Sequence, residues 1–305
     1  MPPNVVIFRP PGIVNGVAEG LGDRLLASTF ALILNDNGVR AVLDDDLAGE
    51  LVRCPTFDPA RHGDYRRYRF NYEPENRYFP GGLMRRALDN FAQQFGLQAL
   101  QITRTAVAVQ YSSQFDVEPV DVALCTESGG WSPYRNWPHF DCLKKSLEAN
   151  GISFCDLTKE GKRGMECVNY IRKARLYVGL ETGVSHLASS VAAGKGLIIQ
   201  SGYSTFDYWC PYEYAYIANP VPCAPCFRRN GCPSDHACMR GITVERVLDR
   251  ILTWLRSSAL ARTTNAPRLV LTGHRRLVRV PVCFADSAKP NLAAPIPGEI
   301  DRGRH

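Results

Sequence analysis

Three residues suited to phosphate binding, Thr182, Gly183 and His186, lie close together just after a short apolar run. The run at 176–178 predicts a buried strand, and the small residues at 184–193 predict a helix before a second strand, which makes a parallel βαβ unit. Free N–H groups and the positive end of the dipole meet at the start of such a helix and suit a diphosphate. Thr182 can cap the helix, and Gly183 lets a ligand approach the backbone. A structural turn with a structural histidine is the alternative.

Asp23 stands between a glycine-rich stretch and a helical pattern, after an apolar run at 4–8 that predicts a strand. Apolar residues recur at helical spacing to about residue 37, and Gly38 is typical of the position after a helix end. The sequence favours Asp23 as the N-cap of this helix, and as a carboxylate at the mouth of a sheet it can also be a general base, since the two roles can coexist. The glycine stretch lacks a GxGxxG pattern with an acidic residue at the right distance, which argues against a classical NAD site.

Four of the eleven cysteines are clustered: Cys223, Cys226, Cys232 and Cys238. Their number and closeness fit a tetrahedral site for zinc or iron, although the spacing matches no standard zinc finger. Two other interpretations stay open, namely reduced thiols in a loop, or disulfides formed on contact with an oxidant.

Arginine and tyrosine are interleaved in residues 61–80. Basic and aromatic side chains together can bind nucleic acid or sugars. A half-exposed strand with aromatic residues on one face and arginines in water produces the same pattern, and we favour this second interpretation.

The chain has 305 residues, of which 45% are hydrophobic and 22% charged, and these values are ordinary for a soluble globular protein with room for two domains. No apolar run is long enough to span a membrane, and the first residues lack the pattern of a signal peptide. The sequence therefore predicts a cytoplasmic protein with mostly reduced thiols. Its net charge of +6 suits an anionic substrate, an acidic membrane surface or nucleic acid without separating them.

The order of strand and helix patterns predicts an α/β protein of two Rossmann-like domains. Residues 1–112 form the first and residues 113–258 the second, with a linker at 111–120 and a further strand at 102–109. Residues 259–305 are expected to be an extension with a flexible tail. Each domain has a ligand-type loop after its first strand, so the domains are expected to face each other across a ligand-binding cleft.

Several motifs together resemble the ADP-heptose:lipopolysaccharide heptosyltransferase family, which has the GT-B fold. They are Glu181-Thr-Gly-Val-Ser-His186-Leu-Ala, Cys223-Ala-Pro-Cys226-Phe with Cys232 and Cys238 before a helix, Gly20-Leu-Gly-Asp23, and Arg135-Asn-Trp-Pro138. The match is good over residues 120–255 and holds in outline over 4–43, so the first domain is the divergent one.

The resemblance implies an inverting glycosyltransferase that moves a sugar, heptose from ADP-heptose by analogy, to an acceptor hydroxyl. Asp23 would be the catalytic base, and Arg135 would neutralise the leaving group. The other donor-binding positions would be Glu181, Thr182, Gly183 and His186. No cofactor is then required for the chemistry, because a base on one side of the anomeric carbon and cations or N–H donors on the other suffice. The cysteine cluster stays a candidate for structural zinc or iron.

The resemblance identifies the reaction class better than the substrates. Glu181 replaces the family's aspartate, Arg135 replaces its lysine, and the loop at 10–20 is longer than usual. The acceptor is therefore open among a glycolipid, a protein, a small metabolite and a modified nucleobase. Two rival functions are a nucleotide-sugar epimerase of the same architecture and a non-catalytic module that binds nucleic acid with steep salt dependence.

Overall fold

The computed structural model describes most of the first 263 residues. Its ranges are 2–8, 13–14, 17–18, 20–45, 51–71, 82–109, 116–129, 133–210, 212–228 and 231–263. The predicted tail and the first half of the predicted linker at 111–120 lie outside the described residues. Within the ranges given, no helix is both long enough and apolar enough to cross a bilayer.

The first unit is a parallel sheet with helices packed against it. Its elements are β1 (Asn4–Phe8), β2 (Ile13–Val14), β3 (Val17–Ala18), α1 (Leu21–Asp36), β4 (Arg40–Asp44), α2 (Pro59–His62), β5 (Arg66–Arg69) and α3 (Gly82–Phe95). Strands β4, β1 and β5 lie in that order, while β2 and β3 form a separate antiparallel pair. The predicted strand at 4–8 and the helix that follows it are confirmed.

The second unit is a five-stranded parallel sheet in the order β10-β9-β8-β6-β7. Its elements are β6 (Val122–Leu124), a 3₁₀ turn (Pro133–Arg135), α4 (Phe140–Ala149), β7 (Phe154–Asp156), α5 (Gly164–Lys173), β8 (Leu176–Gly179), α6 (Gly183–Ala188), β9 (Gly196–Gln200), α7 (Phe206–Trp209), β10 (Ala215–Ala218), α8 (Ala237–Arg240) and α9 (Val244–Thr263). Two parallel sheets with interspersed helices confirm the predicted α/β class with two Rossmann-like units.

The strand order of the second sheet creates a place for a ligand. The chain adds β7 on one side of β6 and β8 on the other, so the direction of strand addition reverses between β6 and β8. The connections that leave these two strands pass to opposite faces of the sheet, and a crevice opens at their carboxyl ends. The loops after β6 and β8 border this crevice.

One hydrophobic cluster passes through both units. In the first unit, Phe30 of α1 stacks on Tyr68 of β5 and meets Phe91 of α3 edge-on, with ring centroids 5.9 and 5.8 Å apart. The same cluster continues into the second unit through Leu187 and Trp209. A second cluster packs α4 and α9 against the other face of the larger sheet. The first cluster is therefore a core that the two units share, and the second cluster belongs to the second unit alone.

Strand β5 supports the structural interpretation of the Arg/Tyr segment. Only Tyr68 is buried in it, and its neighbours on the strand are exposed arginines. Arg67 bonds to Asp44 at 2.7 Å and lies over the ring of Phe8. The pattern of residues 66–69 is thus that of a half-exposed strand, while residues 72–80 of the segment lie outside the described residues.

The predicted strand at 102–109 is wrong. Apart from an isolated bridge between Val109 and Val52, residues 97–109 form no strand pairing. Thr103 and Arg104 donate to the carboxylate of Asp36 at the end of α1, at 2.5 and 2.7 Å. The segment follows the end of α1 because its polar side chains bind there, and the β-branched composition of the segment does not reveal these contacts.

Other boundaries differ by smaller amounts. Helix α6 ends at Ala188, short of the predicted 193, because the next residues form turns up to β9. Helix α9 continues past residue 258, so the proposed limit between the second domain and the extension falls within a helix. The domain limits themselves stay predictions.

Candidate functional site

The residues predicted to bind phosphate lie at the crevice between β6 and β8. Strand β8 ends at Gly179, and α6 begins at Gly183 with Thr182 as its N-cap. The Oγ1 atom of Thr182 accepts a hydrogen bond from the N–H of Val184 at 3.1 Å, so this side chain caps the helix as the sequence predicts. Thr182, Gly183 and His186 are thereby presented together beside the carboxyl edge of the sheet.

The N-termini of α1 and α6 touch through two glycines. A Cβ atom on Gly183 would lie 2.6 Å from the backbone N of Gly22, and one on Gly22 would lie 2.9 Å from Cδ2 of His186. No real side chain is accommodated at such distances, so the approach of the two helices depends on glycine. Asp23 follows Gly22 directly in the chain. This residue of the first unit therefore lies near Gly183 and His186 of the second unit.

Replacing Gly183 with alanine should push the two helix N-termini apart. The new methyl group would meet the backbone of Gly22 and the side chain of Leu21 at 2.6 and 2.9 Å. We expect a loss of about 1–3 kcal/mol in the free energy of unfolding, as for overpacked cores, measured by denaturant titration.

A matched control for Gly183→Ala is Gly20→Ser. A Cβ atom at Gly20 meets nothing within 4 Å, and Gly20 is the N-cap of α1, where serine is favoured. The control should change stability by less than about 0.5 kcal/mol. Equal stability of the two variants would contradict the glycine contact.

His186 is a neutral imidazole held by aromatic neighbours. Its Nδ1 lies 2.6 Å from the hydroxyl oxygen of Tyr212, and its ring meets Trp209 edge-on with centroids 5.5 Å apart. Burial, and secondarily the charge of Arg135, lowers the pKa of His186 to about 3. Any contact of His186 with a phosphate is therefore a hydrogen bond and not an ion pair at neutral pH.

The lowered pKa of His186 predicts a specific loss of stability in acid. In the unfolded chain a histidine takes up a proton near pH 6.5, whereas folded His186 does so only near pH 3. Below pH 6.5 the unfolded state binds more protons, so stability falls as the pH is lowered, by up to about 1.4 kcal/mol per pH unit. Wild type should lose more stability than His186→Gln between pH 7 and pH 4 in denaturant titrations. Parallel curves for the two proteins would contradict this.

Arg135 supplies positive charge next to the same loop. It ends the 3₁₀ turn after β6, and its Nη1 donates to the carbonyl oxygen of Glu181 at 3.0 Å. Its guanidinium carbon lies 5.9 Å from the ring centroid of Tyr203. The hydrogen bond to the loop after β8 places a cation at the crevice.

The side chain of Glu181 is engaged within the protein. Its carboxylate accepts hydrogen bonds from Gln200 Nε2 at 2.9 Å, Ser204 Oγ at 3.0 Å, and the N–H and hydroxyl of Ser201. Burial raises the pKa of Glu181, although Arg135 and these hydrogen bonds oppose that rise. The observed role of the carboxylate is to join the loop after β8 to the loop after β9. The predicted contact of Glu181 with a sugar-nucleotide donor stays a prediction.

Asp23 does not cap α1. The N-cap is Gly20, and Asp23 lies in the first turn of the helix, with its N–H bonded to the Gly20 carbonyl at 3.1 Å. The expectation of a cap is wrong because the helix begins two residues earlier than the apolar pattern indicates. A half-buried carboxylate in the first turn is stabilised by the positive dipole end. The base role of Asp23 stays a prediction.

Three of the four clustered cysteines lie on the loop between β10 and α8, and Cys238 lies in α8 itself. Backbone N–H groups of this loop, from Cys226 and Phe227, donate to the carbonyls of Gly202 and Tyr203, each at 2.9 Å. All four cysteines are free thiols. Within the described ranges, which contain all four, no three His, Cys, Asp or Glu side chains are arranged to hold a metal ion.

Two of the four sulfur atoms already accept hydrogen bonds from other groups. The sulfur of Cys223 accepts from the hydroxyl of Ser234 at 3.5 Å, and that of Cys232 accepts from the N–H of His236 at 3.4 Å. The structure thus places the cysteines in one short segment next to the loop after β9, and the described side chains there form no ligand set.

Two residues of the site carry no signal in the sequence. Tyr212 and Tyr203 contact His186 and Arg135, but neither belongs to a periodic pattern or a motif. Both lie beyond β9, in segments rich in aromatic residues. Only the folded chain shows which of these rings reach the site.

No protein-family model matches the sequence, and no curated protein sequence matches it. Solved structures do match over most of the chain. TibC, an iron-containing dodecameric glycosyltransferase from enterotoxigenic E. coli H10407, is 17% identical with a TM-score of 0.58, covering 86% of this chain and 81% of TibC. A glycosyl transferase family 9 protein from Veillonella parvula DSM 2008 is 11% identical with a TM-score of 0.57, covering 84% and 97%.

The ADP-heptose lipopolysaccharide heptosyltransferase II of E. coli is 13% identical with a TM-score of 0.57, covering 84% of this chain and 99% of that enzyme. At such identities the likeness concerns the fold. The chain has the GT-B fold of these glycosyltransferases, which confirms the architecture that the motifs predicted.

Proposed function

We propose that the protein is an inverting glycosyltransferase that transfers heptose from ADP-heptose to an acceptor hydroxyl. The observation that carries this proposal is the contact of Gly22 with Gly183 and His186. In a GT-B fold it unites Asp23, a carboxylate of the first unit, with the crevice of the second. The two sets of residues needed for the reaction are far apart in sequence and adjacent in space.

The donor diphosphate is proposed to lie at the loop after β8. Gly183 begins α6 after the Thr182 cap, His186 offers a neutral ring nitrogen, and Arg135 carries the positive charge. The charge that develops on the departing diphosphate is stabilised by this cation and by the positive end of the α6 dipole. No step of the proposed reaction passes through a metal.

The acceptor is proposed to be activated by Asp23. The carboxylate takes the proton of the acceptor hydroxyl, and the oxygen attacks the anomeric carbon from the side opposite the diphosphate. The bond between the anomeric carbon and the diphosphate oxygen breaks, and its electron pair leaves with the nucleoside diphosphate. One displacement inverts the anomeric configuration.

Two observations support the choice of ADP-heptose as the sugar donor. The Glu181 to His186 motif resembles the heptosyltransferase family, and TibC has been solved in complex with ADP-D-beta-D-heptose, in a structure 16% identical with a TM-score of 0.56. The acceptor stays open among a glycolipid, a protein, a metabolite and a modified nucleobase. A cytoplasmic location is part of this proposal and rests on the sequence alone.

A donor screen tests the function. Thermal unfolding is recorded with ADP-heptose, ADP-glucose, UDP-glucose, GDP-mannose and the bare nucleotides. We expect the largest stabilisation with ADP-heptose, by about 2.7 kcal/mol when the ligand is at 100 times its Kd. No shift with any of these compounds would refute the proposal and direct attention to nucleic acid. Conversion of ADP-heptose to an isomer without any acceptor would instead identify an epimerase.

A structural metal at the cysteine loop is a separate proposal. Its support is the number of thiols on one loop and the iron content of TibC. To bind an ion, Cys223 and Cys232 would exchange their hydrogen bonds to Ser234 and His236 for the metal.

Metal analysis of gently purified protein should find about one zinc or iron per chain. The double variant Cys226→Ser, Cys238→Ser should lose this metal, whereas Cys142→Ser, on helix α4, should keep it. Wild-type protein without metal would contradict the proposal.

A further inference from the structure

The environment of His186 leaves one of its two ring nitrogens without a partner. The Nδ1 atom lies 2.6 Å from the hydroxyl of Tyr212. The Nε2 atom makes no hydrogen bond to any residue that the structure describes, and it lies on the side of the ring that faces Gly22. The side chain is 7% exposed, so this nitrogen points into the junction of the two units with its orientation already set.

Three contacts hold the imidazole in that orientation. The rings of Trp209 and Tyr212 both meet it edge-on, at centroid distances of 5.5 Å. The backbone of Gly22 closes the opposite side, where a Cβ atom would come within 2.9 Å of Cδ2. Rotation of the ring would break the bond to Tyr212 and collide with α1. The direction of Nε2 is therefore determined by packing and by one hydroxyl.

We propose that Tyr212 is a positioning residue, whose hydroxyl donates a hydrogen bond to Nδ1 of His186 and thereby makes Nε2–H the group that a bound anion meets. This rests on the proposed function in one respect: the anion is identified as the diphosphate of the sugar nucleotide. A neutral imidazole carries one proton, so when Nδ1 accepts the hydrogen bond of Tyr212 the ring's own proton is on Nε2. Burial raises the pKa of Tyr212, although a hydrogen bond with Ser189 opposes that rise, so the phenol stays protonated at neutral pH.

Tyr214 provides a matched control. It is a second buried tyrosine, with its ring centroid 5.5 Å from that of Tyr212. Its hydroxyl donates to the carbonyl of Ser185 at 3.0 Å and has no contact with His186. Removal of either hydroxyl leaves a buried group unsatisfied, but only one of them touches the imidazole.

The experiment compares wild type with Tyr212→Phe and Tyr214→Phe in two measurements. Nitrogen-15 NMR of histidine-labelled protein, with His186→Gln for assignment, shows which ring nitrogen is protonated. Isothermal titration with ADP-heptose gives its Kd without an acceptor. We expect Nε2–H in wild type and Tyr214→Phe, and a mixture of tautomers in Tyr212→Phe. The Kd for ADP-heptose should rise about 10-fold in Tyr212→Phe, the effect of one hydrogen bond, and less than twofold in Tyr214→Phe.

The outcomes separate this proposal from the function on which it rests. A proton on Nδ1 in wild type, or an unchanged tautomer in Tyr212→Phe, would overturn the positioning role. Equal losses of stability and of affinity for ADP-heptose in both tyrosine variants would do the same, because they would show a packing role only. A tautomer change in Tyr212→Phe, in a protein that does not bind ADP-heptose, would refute the proposed function and support the positioning of His186.

Discussion

Replacing Asp23 with asparagine should reduce kcat for sugar transfer by about 10²–10⁴-fold, the usual contribution of a general base. Asparagine has the same shape but cannot take the acceptor proton. Because the donor is proposed to bind at the loop after β8, the Kd for ADP-heptose should stay within about twofold of wild type. Product formation and isothermal titration with donor alone measure the two effects separately.

Asp141→Asn is the matched control for Asp23→Asn. Asp141 also lies in the first turn of a helix, α4, where its side chain is 85% exposed and paired with Lys144. It experiences the same type of helix dipole without contact with the crevice, so its loss should leave kcat unchanged. If Asp23→Asn loses donor binding and stability together with activity, the carboxylate has a structural role and the proposed base is wrong.

Arg135→Ala should lower kcat/KM by about 10²–10³-fold, because it removes the cation proposed for the departing diphosphate. The variant also loses the hydrogen bond to the Glu181 carbonyl, which contributes about 1 kcal/mol to stability. Arg135→Lys keeps the charge but has neither the planar fork nor the same contact with Tyr203, so we expect partial recovery. The measurements are kcat/KM and the Kd for ADP.

Arg175→Lys and Arg175→Ala serve as controls for Arg135. Arg175 is also half-buried and bonds to a carbonyl, that of Leu255, and to Asp121, but it precedes β8 at the opposite end of the strand. Its variants should lose stability and keep the Kd for ADP. If the lysine variant of Arg135 is as inactive as the alanine variant and both are less stable, Arg135 acts by holding the loop and not by its charge.

The sequence alone located those residues of the candidate site that belong to one local motif. Thr182, Gly183 and His186 belong to a single strand, loop and helix, and short spacing is sufficient to place them together. The spacing of residues along the sequence could not predict that Asp23 lies near these residues. It depends on two glycines, Gly22 and Gly183, that meet only after both units have folded.

The errors have identifiable physical causes. The 102–109 segment is rich in β-branched residues, which favour a strand, but Thr103 and Arg104 bind the carboxylate of Asp36 at the end of α1 instead of pairing in a sheet. Strand β10 was not predicted because only Ile217 of its four residues is buried, so no alternation is visible. Tyr212 was missed for a different reason, since a contact with His186 across a fold leaves no periodic trace.

The hydrophobic cluster that runs through both units limits how segments of this chain can be exchanged with those of structurally similar proteins. Its residues come from α1 and β5 of the first unit and from Leu187, Trp209 and Tyr212 of the second. A chimaera with a foreign first unit would have to match that apolar surface, and also supply a glycine where Gly22 meets α6. Exchange of the whole first unit is therefore expected to disturb the shared core and the junction of α1 with α6 unless the new unit matches both.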